Sequence, residues 1–255
     1  MTQLTRMPLL VLALSFALLW ASAWFGASVL RRRRQLEENS REDFGVVLAA
    51  TLTLLGLILG FSFSMAISRY DQRKNLEEAE ANAIGTEYLR AGLLPAADAA
   101  KVRSLLKDYL EQRIQFYSVT DPEQRRQLDV RTARLQNDLW LAVQAPALVQ
   151  PTPVIALAVT GMNDVLNSQG YTQAAWWNRI PVAAWGLMLA MGICCNVLVG
   201  YGARNVKVEG TLLLVLPLVV SITFMLIADI DSPRGGLIHV QPQNLMNFSE
   251  SLRPQ

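Results

Sequence analysis

Histidine and cysteine are almost missing from this chain: His239 stands alone, and the two cysteines, Cys194 and Cys195, are neighbours. One histidine excludes a histidine-rich metal site and leaves no Cys/His nucleophile pair of usable geometry. Adjacent cysteines bridge each other only under strain and match no zinc spacing, so they read as small packing residues. Charge is scarce too, at 17% of residues against about a quarter in soluble domains. There is no phosphate-binding glycine loop, internal repeat or low-complexity linker. Glu80 and Glu87 lie seven apart on one helix face, a spacing common to any solvated helix. No catalytic residue, metal or cofactor is expected, and the chain does not read as an enzyme.

What is abundant is apolar surface, at 52% of residues, gathered in four blocks: Met7 to Leu30, Phe44 to Ser68, Ile180 to Tyr201 and Thr211 to Ala228. At about 1.5 Å of rise per residue, a block of about twenty residues crosses the hydrocarbon core of a bilayer. Lipid offers no partner to backbone N–H and C=O groups, so such blocks must be helices whose hydrogen bonds close internally. The expectation is an all-α, polytopic membrane protein with four transmembrane helices. One hairpin lies in residues 1–68, with spans at about 7–30 and 44–68, and a second in 180–230, with spans at about 180–201 and 211–228. A cleaved signal peptide is the rival for the first block, given Arg6 and the small residues Ala21-Ser22-Ala23. The apolar run continues through Trp24, Phe25, Val29 and Leu30, which favours a retained span.

Arg31, Arg32, Arg33 and Arg34 follow the first span, with Arg41 close behind, and Arg204 and Lys207 precede the fourth. Cytoplasmic loops collect Lys and Arg, so these two loops are assigned to the cytoplasm and both termini to the opposite side, together with residues 69–179. The four arginines are a topology anchor and an acidic-lipid contact; a nucleic-acid or heparin patch is the alternative for such a run, and no nucleic-acid partner is expected.

Residues 69–179 look helical but not membranous. Asp98 opens an amphipathic stretch through Val102, Leu105, Leu106, Tyr109, Ile114 and Tyr117. Asp121-Pro122 reads as a cap followed by proline at the first helical position, and Leu128, Leu135, Leu139, Ala142 and Val143 form a second stripe that Pro146, Pro151 and Pro153 would break. A further mixed stretch begins at Val154, and Trp176 and Trp177 with Arg179 stand where an interfacial belt would precede the third span. The tail, 231–255, alternates loosely, so it contains a brief strand or lies along other parts of the fold. The second span has no breaker at Ser68, Arg69 or Tyr70, and strong helix formers follow, so one helix should leave the bilayer unbroken. Leu76, Ala79, Ala83 and Ile84 would continue its apolar face, leaving Glu77, Glu78 and Glu80 wet.

Within that span Gly56, Gly60, Ser64 and Ser68 recur every four residues. Small residues let another helix approach closely in lipid, so the seam serves packing inside the chain, a contact between subunits, or an axial pore where Ser62, Ser64 and Ser68 solvate an ion. Asn196, between Gly192 and Gly200, poses the same choice, with an interhelical hydrogen bond as its ordinary use. Arg69, Asp71 and Arg73 mark one membrane exit and Asp229, Asp231 and Arg234 another on the same side. They are solvated flanking charges, a clamp from Arg69 to Asp229 or Asp231, or a basic ring drawing anions to a vestibule.

The runs "GFSFSMAISRYDQRKNLEEAEANAIGTEYLRAGLLP", "IPVAAWGLMLAMG" and "DIDSPRGGLIHV" resemble a bacterial family of four-span membrane proteins called bestrophin-like, and the likeness runs from about Asp43 onward. It implies kinship with bestrophins, pentameric anion channels in which a span likewise runs into a charged segment; Arg69, Tyr70, Asp71 and Arg73 are the matching positions. Arg234 follows Pro233 where the family carries an aromatic residue, and no run of bulky residues marks a pore neck. The helical layer of bestrophins is cytoplasmic, whereas the arginine cluster here predicts an external one. The resemblance thus implies a multi-pass protein of the bacterial cytoplasmic (inner) membrane, a homo-oligomer in the lipid bilayer that passes an anion along its second span. The alternative is a noncatalytic membrane scaffold or stress-response interaction protein built on the external helices.

Overall fold

The computed structural model describes residues 7–30, 40–203 and 211–253. Regular structure among them is entirely helical: α1 (Pro8–Phe25) with a π-helical turn (Gly26–Leu30), α2 (Arg41–Arg90) with a 3-10 turn (Ala91–Leu93), α3 (Ala96–Ser118), α4 (Pro122–Val149), α5 (Pro153–Trp177), α6 (Val182–Gly202), α7 (Leu212–Asp231) and α8 (Gln243–Ser251). Among the described residues four helices are long and apolar enough to cross a membrane. The arginine anchor, Arg31 to Arg34, and the basic pair Arg204 and Lys207 lie outside the described residues.

The chain divides into two compact units, Met1–Tyr70 with Arg179–His239, and Asp71–Asn178 with Val240–Gln255. In the first, α1 packs on both α6 and α7. Contact between α1 and α6 depends on bare backbone: a Cβ at Gly200 would collide with the Ala23 carbonyl, and one at Gly26 with that of Val197. The π-helical turn, a wider coil than the helix it ends, therefore lies directly on α6. Leu19, Leu55, Leu59, Ala66, Met188, Cys195, Phe224 and Ile227 fill the core, and Trp185 meets Phe224 edge-on at 6.3 Å. The outside is as oily as the inside, with Leu9, Trp24, Val46, Phe61, Val182 and Val219 all exposed, as lipid requires. Pro217 sits inside α7 without ending it.

The second unit is built from residues 71–90 of α2 with α3, α4, α5 and α8. Asp121 caps α4 by accepting from the Gln124 amide at 2.8 Å, and Thr152 caps α5 by accepting from Ile155 at 3.3 Å; a proline follows each cap at the first helical position. Several expectations are corrected. The third helix starts at Ala96, behind Pro95, rather than at Asp98. Pro146 lies within α4, which runs on to Val149. Trp176 is no membrane belt: it is buried, with Phe116 at 4.8 Å and Tyr117 at 5.3 Å, and only Trp177 is exposed. The tail forms the helix α8 instead of a strand.

Adding a methyl group separates the two kinds of glycine. Gly200→Ala must displace α1 and should cost about 1–3 kcal/mol, whereas Gly60→Ala enters open space and gains helix propensity. Heating the detergent-purified variants in steps and following the folded peak by size exclusion checks this; equal loss in both would refute the packing described.

Candidate functional site

One face of α2 is buried along both units. In the first it carries Leu55, Leu59, Ser62 and Ala66; in the second, Arg73, Glu77, Glu80, Ile84 and Glu87. Steps of three and four keep these residues on one side at 3.6 residues per turn. The small-residue seam lies on the far side: Gly56, Gly60, Ser64 and Ser68 are all exposed, and a Cβ built on Gly56 or Gly60 meets nothing within 4 Å. Only 6% of the most apolar stretch of α2 is buried inside the chain. The seam is thus not spent on packing within the chain, and Ser62 points away from it, into the core. Asn196 is buried and bonds within its own helix, donating to the Gly192 carbonyl at 2.8 Å rather than across to another.

At the exit of the last span Asp229 and Asp231, both buried, have separate partners. Arg69 Nη1 approaches Asp231 Oδ1 at 3.4 Å, and both carboxylate oxygens of Asp231 accept from the Ile180 amide, at 3.1 and 3.2 Å. A single carboxylate therefore joins α2, the approach to α6 and the end of α7. Asp229 turns to the following loop, accepting from the amides of Leu237 at 2.8 Å and Ile238 at 3.2 Å. Gly236 makes that loop possible: its φ of +91° suits glycine, and a Cβ there would strike the Asp229 carboxylate. Asp71 is exposed and Arg73 buried, both in the other unit.

Glu77 and Glu80, expected to be wet, are buried together with Glu87; of the charges expected in solvent there, Glu78 alone is exposed. Glu77 accepts from the Leu245 amide at 3.0 Å and from Asn244 Nδ2 at 2.7 Å. Pro242 leaves α8 without a side-chain cap of its own, so a distant carboxylate supplies it, where the helix dipole favours negative charge. Glu80 binds Arg113 through Nε and, at 3.3 Å, through Nη2, and Thr172 Oγ1 donates to it at 3.2 Å. The guanidinium lies 4.4 Å from the centre of the Phe116 ring. Burial, the largest single influence on Arg113, would lower its pKa, but the Glu80 carboxylate together with the Tyr109 and Tyr117 phenols leaves it raised. Burial, with Glu80 adding to it, pushes the Tyr109 and Tyr117 phenols up.

Glu87 differs from its two neighbours. Its carboxylate is fully buried and neither oxygen has a hydrogen-bond partner among the described residues. Burial pushes its pKa up to about 8, with Arg90 opposing and Asp164 adding. No group of three or more His, Cys, Asp or Glu among the described residues is placed to hold a metal ion.

The bestrophin-like domain profile matches residues 13–245, nearly the whole chain. The chain belongs to the bestrophin-like family. Its fold is shared with a variant of a bacterial bestrophin homologue from Klebsiella pneumoniae, at a TM-score of 0.64 and 16% identity over 94% of this chain and 96% of that one. A second crystal structure of the Klebsiella homologue aligns at a TM-score of 0.61 and 16% identity, over 95% of this chain and 98% of that one. A crystal structure described only as a membrane protein aligns at 0.62 and 15% identity, over 93% and 98%. No curated protein matches the sequence. At such identity the likeness establishes the fold: a bestrophin-like membrane protein with four candidate spans.

The Glu80–Arg113 pair yields a test of the buried network. Glu80→Ala strands a buried guanidinium and should cost about 3–5 kcal/mol. The double replacement Glu80→Leu with Arg113→Met should recover most of that loss, since no charge is then left unpaired. Thermal unfolding in detergent measures both; a double variant no more stable than Glu80→Ala would contradict the pairing.

Proposed function

We propose that this bestrophin-like membrane protein assembles as a homo-oligomer around α2 and conducts anions along that axis. The observation supporting this is the bare face of α2: Gly56, Gly60, Ser64 and Ser68 are exposed, and a Cβ on either glycine meets nothing within 4 Å. Small residues allow close helix approach, the main source of association in lipid, and serine hydroxyls turned to a water-filled axis stand in for part of an ion's hydration shell. Anion preference rests on the bestrophin kinship. Arg69 adds no uncompensated positive ring, because Asp231 already meets it. We place the protein in the bacterial cytoplasmic membrane, with the helical layer and both termini outside the cytoplasm, following the arginines after the first span.

A second reading, a noncatalytic scaffold, draws on the hairpin of α4 and α5. Residues Leu139 to Asn163 carry no charged side chain, and Leu148, Val149 and Leu157 there are exposed. The stoichiometry separates the two readings. The channel should give a ring-sized mass in native mass spectrometry and discharge a chloride gradient from liposomes, and Gly60→Leu should lower flux without unfolding the protein. A folded monomer or dimer with no chloride flux would favour the scaffold and remove the channel; potassium flux in place of chloride would remove its anion selectivity. Labelling a cysteine placed at exposed Gln124, in a Cys194→Ala, Cys195→Ala background, tests the orientation: an impermeant reagent reaches it in intact cells if the layer is external, and only in inverted vesicles if it is not.

A further inference from the structure

The inner face of α2 carries three buried carboxylates, and two are explained by their partners. Glu77 meets the start of α8 and Glu80 meets Arg113. Glu87 has the same burial and no such partner. An ionised carboxylate buried without hydrogen bonds is far costlier than a neutral one, so the site as built favours a carboxylic acid.

Its surroundings sharpen the point. On α5 the facing residue is Gly161, whose bare Cα lies so close that any Cβ would strike Glu87 Oε2 and the Arg90 guanidinium. The next acidic group on α5 is Asp164, a like charge. Among the described residues the opposing cation is Arg90, on the same helix as Glu87, and it is shared with Asp164 at 3.9 Å with about a third of its side chain exposed, where water screens it. Three cations of α3 have other partners: Arg103 donates to the Tyr88 carbonyl at 3.2 Å, both Arg103 and Lys107 lie over the Tyr88 ring, and Arg113 is held by Glu80. From α8 the side chain facing this stretch is the apolar Phe248, set against Gly85.

We propose that Glu87 is a proton-binding site that locks the last turns of α2 to α5: the protonated acid lets the helices close at Gly161, and its ionisation loosens them. Burial holds this group near about 8, above the roughly 4.3 of a free glutamic acid. Between those values the closed form keeps a proton that an opened form releases, so closure is fully favoured below the lower value. It weakens as pH rises through the window, by up to about tenfold in the closed-to-open ratio per pH unit, and levels off above the upper value. Closure is therefore strongest in acid, is already weakened at neutral pH, and changes little further once the pH passes about 8. This lies wholly within one compact unit and does not rest on the protein being a channel.

The test uses the full-length protein in detergent. Infrared spectra at pH 6 should show a protonated carboxyl band that disappears towards pH 9 and is missing from Glu87→Gln, a neutral isostere. Amide exchange across residues 83–93 and 155–168, corrected for the intrinsic pH dependence of exchange, should lose protection over that range in the native protein and stay level in Glu87→Gln. Asp164→Asn, a change at an exposed side chain, removes the like charge, should lower the midpoint of the band, and keeps the test available if Glu87→Gln does not fold. A spectrum without a band assignable to Glu87, loss of protection in Glu87→Gln parallel to that of the native protein, or a midpoint unmoved by Asp164→Asn would each overturn the proposal.

Discussion

A buried polar group must find a partner or lose its charge, and the inner face of α2 is organised by that constraint. Along the first unit the face is apolar but for Ser62, and Leu55, Leu59 and Ala66 share one core with Met188, Phe224 and Ile227. Along the second it is carboxylate after carboxylate, and the elements around it supply what those groups need: an arginine and a threonine for Glu80, a helix start for Glu77. α3, α5 and α8 are thereby tied to α2 by directional bonds as well as by apolar contact. The directional bonds fix which residue faces which, something a purely oily interface leaves loosely specified.

The same rule explains why the last span runs longer than its apolar composition suggests. Ala228 ends the hydrophobic block, yet α7 continues to Asp231. Two aspartates are tolerated in its buried last turn because Asp231 is met by Arg69 and the Ile180 amide, and Asp229 by two amides of the loop that follows. Arg69 is therefore a clamp on the membrane unit, and its charge is spent on that structural task.

The four spans were legible in the sequence because lipid leaves so few alternatives: an apolar run of sufficient length has to be a helix, and the unbroken passage from Ser68 to Arg90 followed from the absence of any breaker. The caps at Asp121 and Thr152 are local, each three residues from the amide it satisfies, and Asp121-Pro122 could be read directly. The carboxylate face could not. Apolarity alone assigns Ala79 and Ala83 to the inside and Glu77 and Glu80 to solvent, and the assignment fails because the groups that neutralise the glutamates lie far away, Arg113 33 positions on and Thr172 92 positions on from Glu80. A faint signal was present: Arg73, Glu77, Glu80, Ile84 and Glu87 continue the step of the buried residues Leu55, Leu59, Ser62 and Ala66. Following the register of the span, instead of restarting the apolar count where charges begin, would have found them.

The cap on α8 reaches far along the chain, from the Glu77 carboxylate to the Leu245 amide 168 positions on. A ribosome releases Glu77 long before it makes Leu245. Until α8 is made that carboxylate has no helix to terminate, so the layer around it stays unfinished until then, and a transcript cut short before Leu245 leaves an anion exposed where α8 should dock.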